Sequence, residues 1–261
     1  MRYPEFLKKK GCIGFVAPSF GCNIEPYKTA FGHALDKFEK MGYRTELGPN
    51  CYEGCGIGIS NTPEKCGQEL MEYYCNDTSD VLISCGGGEL MCEDLPYVDF
   101  EKIRMAKPKW YLGYSDNTNM TFLLTTLCDV ASVYGPCAAA FGMKPWHPAI
   151  QDAFDVLTGE KLTIKGYDLS HYKVVMDFPH PLILLFHTDI KMEGRLIGGC
   201  LDVLTLLLGT KYDKVQAFTE RYKEDGIIWF IEACDLNVMG IRRALWQMEQ
   251  ASINQMIPSS L

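Results

Sequence analysis

Short apolar runs, each closed by glycine, proline or a small polar residue, constrain this chain most. They fall at 12–17, 80–84 and 110–112, with further strand-like stretches at 43–47 and 131–134. A run without polar alternation reads as a strand buried on both faces. Helical stripes separate most of them. From 26 to 41 the apolar residues Tyr27, Ala30, Phe31, Ala34, Leu35 and Phe38 recur at three- and four-residue spacing. A second helix is expected over 63–75, with Thr62 as N-cap and Pro63 at its first position. A third is expected over 116–127. Buried strands alternating with helices imply a parallel sheet covered by helices on both faces, hence an α/β fold. With 261 residues, 47% of them hydrophobic, the chain has enough apolar surface for a sizeable core.

The second half is less regular. A helix is expected over 150–157, strand-like pieces at 162–164 and 172–176, and a loop around Pro179 and Pro181. A strand at 193–197, a helix at 200–208, a strand at 227–232 and a helix at 238–249 follow. Pro145 and Pro148 interrupt the pattern within 144–151, which sets a domain boundary there. The expected division is an N-terminal α/β domain over 1–145, a linker and inter-domain loop over 146–192, and a smaller C-terminal domain over 193–261.

Net charge is −8 with both signs scattered, and no basic cluster marks a nucleic-acid surface. The first ten residues are mixed and charged, with no apolar signal region after them. The longest apolar stretches are far too short to span a bilayer, so the sequence reads as a soluble cytoplasmic protein with no membrane partner. The twelve cysteines form no C-x-x-C pair, and the histidines lie far from most of them. Several sit in apolar runs, where reduced thiols pack as small hydrophobes, so no metal site is expected.

Three features stand where strands end, the usual place for α/β active sites. The first is the run Gly86-Gly87-Gly88. Glycines there let the backbone approach a ligand and present N–H groups, although a tight turn explains them equally. The run is not G-x-G-x-x-G, which argues against a dinucleotide. The second is Ser115, in G-Y-S-D-N-T. A serine at a strand-to-helix junction presents a hydroxyl beside free N–H groups, the arrangement of a nucleophile with an oxyanion hole, while the plainer role is a helix cap. The second glycine of G-x-S-x-G is missing. The third is Glu232, which closes the apolar I-I-W-F-I-E, where a carboxylate needs a partner. Cys85 also ends a strand beside glycines and offers a cysteine amidotransferase-like alternative, without a helix dipole to lower its pKa.

The segments I-G-F-V-A-P-S at 13–19, C-G-G-G-E-L at 85–90, L-P-Y-V-D-F at 95–100 and G-Y-S-D-N-T at 113–118 resemble the LD-carboxypeptidase family. Tyr134-Gly135-Pro136, E-G-R-L-I-G-G at 193–199, L-G-T at 208–210 and W-F-I-E at 229–232 extend that likeness in the same order. These are serine peptidases that include muramoyl-tetrapeptide carboxypeptidases and microcin C self-immunity peptidases. The resemblance implies Ser115 as nucleophile and Glu232 as acidic triad member, converging on one cleft without touching. It implies an oxyanion hole from the N–H groups of Asp116 and of Gly87 or Gly88. It also implies an N-terminal parallel-sheet domain with a smaller β-rich α/β domain, no cofactor, a homodimer, and a role in bacterial peptidoglycan recycling. The substrate would be a murein tetrapeptide-like amide between an L-centre and a terminal D-residue, or a microcin-type aminoacyl-nucleotide.

The chain departs from the family at Cys200, commonly asparagine, and at Ala233, where an acidic residue often follows the glutamate. The family's histidine lies well beyond the helix matching 238–249, whereas His33, His147, His171, His180 and His187 all precede it. The C-terminal domain is therefore expected to be incomplete. A peptide-binding or inactive relative is the alternative that follows.

Overall fold

The computed structural model describes residues 1–165 and 191–251. Strands β1 (Cys12–Val16), β2 (Arg44–Leu47), β3 (Val81–Ser84), β4 (Trp110–Gly113) and β5 (Val133–Tyr134) form one sheet in the order β2-β1-β3-β4-β5. Every pairing is parallel. Successive side chains on a strand face opposite ways, and both faces here are apolar. Ile13, Phe15, Val81, Ile83, Trp110 and Leu112 enter one cluster, while Val16, Leu82 and Tyr111 enter the other.

The first face is covered by α1 (Tyr27–Lys40) and α5 (Pro148–Thr158), with Phe31, Phe38, Phe141 and Phe154 packed together. The second is covered by α2 (Pro63–Cys75), α3 (Phe100–Met105) and α4 (Thr118–Thr126). All nine residues of α4 are buried, because a second layer closes over it. That layer is a two-stranded parallel sheet of β6 (Arg195–Cys200) and β7 (Ile227–Glu232), with α6 (Leu201–Leu207), α7 (Val215–Arg221) and α8 (Val238–Gln250). Ile197, Cys200, Leu204 and Phe218 share one core with Met120 and Leu124. Gly199 permits this approach, since a Cβ there would lie 2.6 Å from Thr118 Oγ1.

Several expectations change. The helix expected from 116 begins instead as a 3-10 turn, Ser115–Asn117, with α4 starting at Thr118. The Ser115 backbone is left-handed, which an α-helix cannot accommodate. No strand forms at 162–164, where the chain is irregular. α3 and α7, of six and seven residues, carry too little periodicity to be read. Residues 148–158 form a helix whose Ile150, Phe154 and Leu157 lie in the first cluster. The strand expected at 172–176 and the loop around Pro179 lie outside the described residues.

Candidate active site

Strand order reverses between β1 and β3, so a crevice opens beyond their C-terminal ends, where ligands of such sheets bind. Loops leaving β1, β3 and β4 meet there. The buried Asp116 carboxylate fastens them together: it accepts hydrogen bonds from the Ser19 hydroxyl and from the Met91 N–H at 2.9 Å. Burial pushes this carboxyl upward, opposed by those hydrogen bonds. Asn117 adds a second tie, its Nδ2 donating to Gly86 O at 2.8 Å and Tyr114 O at 3.1 Å. Gly113 is required beneath it, because a Cβ would stand 2.7 Å from Asn117 Cγ.

Ser115 follows directly, half-buried, with φ of 62°. A non-glycine residue held there costs on the order of 1–3 kcal/mol and persists only where its surroundings fix it. Its N–H donates to the Tyr134 hydroxyl at 2.7 Å, and its carbonyl accepts from Thr118 Oγ1 at 2.7 Å. Gly87 lies against the side chain: a Cβ on Gly87 would be 3.2 Å from Ser115 Cβ and 3.4 Å from its Oγ. Gly88 lies against Ser19, with a Cβ 2.1 Å from that hydroxyl. Phe20 is anchored over these glycines by its N–H to Gly87 O at 2.9 Å.

Glu232 ends β7 opposite Cys200 of β6 and is exposed. It does not bond Ser115 directly. The Tyr134 hydroxyl donates to Glu232 Oε1 while accepting the Ser115 N–H, so the phenol stands between them. Burial first, then the hydrogen bond to Glu232, hold this phenol strongly protonated. The surroundings are acidic: Glu89 is raised by its burial and then by Asp235, Asp116 and Asp202. Asp202 Oδ2 accepts from the Cys200 thiol at 3.4 Å and from the Cys234 N–H at 3.2 Å. Behind Tyr134 a cavity of about 650 Å³ opens against Phe122, Val133, Ile197 and Phe230; Ser115 does not line it.

Cys85 does not serve as a rival nucleophile. It is 1% exposed, and burial together with Cys22 and Cys51 raises its thiol well above the usual range. All twelve cysteines are unpaired. Among the described residues no three metal-ligating side chains converge, and no helix is long and apolar enough to cross a membrane. His33 lies on α1 and His147 caps α5, its Nδ1 accepting the Ala149 N–H at 3.2 Å. His171, His180 and His187 are outside the described residues.

Ser115, Asp116, Gly87 and Gly88 thus share one crevice, with Glu232 joined to it through Tyr134. Sequence reading passed over Tyr134, Thr118, Ser19 and Asn117 as site residues. All four stand in segments that resemble the family, Asn117 and Thr118 directly after the serine, but nothing in those segments marked their part at the site.

Fold and site together define a doubly wound α/β scaffold that presents a strand-terminal serine under a second, smaller sheet. The family model for the LD-carboxypeptidase N-terminal domain matches residues 13–135, and that for the LD-carboxypeptidase C-terminal domain matches residues 193–258. The chain belongs to the LD-carboxypeptidase family. It is 28% identical over 254 residues to a probable murein peptide carboxypeptidase of Bacillus subtilis, covering 94% of this chain and 69% of that protein. It is 28% identical over 219 residues to the microcin C7 self-immunity protein MccF of Escherichia coli, covering 77% of this chain and 62% of that protein. The crystal structure of muramoyltetrapeptide carboxypeptidase from Oxalobacter formigenes superposes with a TM-score of 0.69 at 20% identity, over 94% of this chain and 73% of that one.

Proposed function

We propose that this chain is a serine carboxypeptidase acting on the amide between an L-centre and a terminal D-amino acid, as in a murein tetrapeptide. The observation that carries the reading is Ser115, held left-handed at the end of β4 with the Gly87 backbone against its Oγ. In this reading Ser115 Oγ attacks the amide carbonyl. The N–H groups of Asp116 and of Gly87 or Gly88 receive the developing oxyanion, as fixed donors beside the carbonyl would. The D-amino acid leaves as its amine, and water then hydrolyses the acyl-enzyme on Ser115. Glu232 has the acidic part of a triad whose base, a histidine in the family, would take the Ser115 proton and return it to the leaving amine; neither His33 nor His147 stands in that place. No metal or cofactor enters these steps.

Release of D-alanine from an L-Lys- or diaminopimelate-containing tetrapeptide tests the reading. Ser115→Ala should lower turnover at least about 10³-fold, since members of such a unit fail together. A fluorophosphonate should label Ser115 and leave Cys85 untouched. Turnover that survives Ser115→Ala would overturn the assignment.

One observation favours a second reading, a binding protein without turnover. Of the described histidines, His33 and His147 both bond or stand elsewhere than at Ser115. Peptide binding without D-alanine release would select it. The likeness to MccF supports a microcin-type aminoacyl-nucleotide as the alternative substrate, and a parallel assay with such an amide distinguishes the two.

A further inference from the structure

Both main-chain groups of Ser115 are occupied, and each leads to the second sheet by a single side chain. The N–H runs through the Tyr134 hydroxyl to Glu232 at the end of β7. The carbonyl runs through Thr118 Oγ1 to the N–H of Cys200 at the end of β6, at 2.9 Å. Cys200 and Glu232 are register partners, so the two relays finish on one rung of the ladder. Thr118 is fully buried and belongs to α4, while Tyr134 belongs to the edge strand β5. Gly199 brings β6 close enough for the Thr118 relay, for any larger residue would strike that hydroxyl.

We propose that the second sheet clamps the nucleophile's backbone, with Tyr134 and Thr118 as positioning residues that hold Ser115 in its left-handed conformation from both sides. The inference rests on the reading of Ser115 as nucleophile only for its catalytic consequence; the clamp itself is a property of the backbone. Two hydroxyls, one accepting from N–H and one donating to C=O, fix the peptide planes on either side of the Cα. Those planes set φ and ψ, and so the direction of Oγ relative to Gly87. Glu232 then has a second part besides orienting a base, since it fixes the phenol that holds the Ser115 N–H. Substitution at Glu232 should therefore loosen the elbow as well as weaken the base.

The test uses the full chain with Tyr134→Phe, Thr118→Val, both together, and Thr118→Ser, which keeps the hydroxyl. Amide hydrogen exchange over 113–118 and the rate of fluorophosphonate attachment to Ser115 are measured beside the thermal transition. Each hydroxyl removed should speed exchange at the elbow roughly fivefold, the equivalent of one ordinary hydrogen bond, and the pair more. Exchange in β1 and α1 should stay unchanged. Attachment should slow about tenfold to a hundredfold, because a misplaced reacting atom is costly. Thr118→Ser should restore both rates.

Unchanged exchange over 113–118 in the double variant would overturn the clamp. So would acceleration shared evenly by the whole molecule, which marks general destabilisation, or failure of Thr118→Ser to restore the wild-type rates. If wild-type Ser115 takes no label, the nucleophile reading fails, and the exchange data still decide the clamp.

Discussion

At the scale of single residues, Asp94 stands out. It is wholly buried on the 3-10 turn Met91–Tyr97, and neither carboxylate oxygen has a hydrogen-bond partner. Burial first, then Asp116, Glu69 and Glu93, push its carboxyl up from 3.8 to about 9. The folded chain therefore keeps a proton there that the unfolded chain has released. Stability from this group is full below pH 3.8 and is lost as pH rises through about 9. The slope is at most one proton, about 1.4 kcal/mol per pH unit. Asp94→Asn should flatten the fall in melting temperature between pH 5 and 9; an unaltered slope would show that Asp94 is ionised. Asp94 was not legible as special, because the sequence shows an ordinary acidic stretch. The position of Ser115, Glu232 and the glycines at strand ends was legible, because the end of an apolar run is a local mark. Tyr134 was not, since its part depends on which strand lies beside β4.

At the scale of elements, α4 is the helix that both layers share, buried along its whole length. A helix here was legible from the sequence, yet what covers its outer side could not be read. That cover comes from β6, which begins only at Arg195, far beyond the end of α4 at Thr126. Leu124, wholly buried, should cost about 2–5 kcal/mol when changed to alanine, measured by denaturant unfolding. The inner strands β1, β3 and β4 were legible to within a residue or two because each is buried on both faces, while β2 and β5 at the sheet edges are only partly covered. α2 was legible to its ends: Thr62 Oγ1 accepts the Lys65 N–H and Pro63 takes the first position. The piece at 162–164 misled because alternating Leu162 and Ile164 mimic a strand, while both side chains are exposed and pair with nothing.

At the scale of the whole molecule, the net charge of −8 is not evenly spread, since Glu89, Asp202, Glu232 and Asp235 gather around the proposed active site. Such a field attracts cationic groups and is screened by salt. A tetrapeptide carrying L-lysine should be preferred to one carrying the zwitterionic diaminopimelate, by about threefold or more in kcat/KM at 10 mM salt. The preference should shrink toward unity at 0.5 M; a salt-independent ratio would assign the choice to shape. Charge and composition bounded the fold class, but the gathering of these four acids came only with the meeting of the two sheets. Because α4 has no solvent face, neither sheet can let go without exposing it. Denaturation should therefore be all-or-none across both layers, with Trp110 and Trp229 reporting one midpoint and one m-value. Shedding the second sheet as a unit is closed to this chain as a low-energy motion, whereas the Ser115 elbow, tied by two side-chain hydrogen bonds, keeps a local opening of its own.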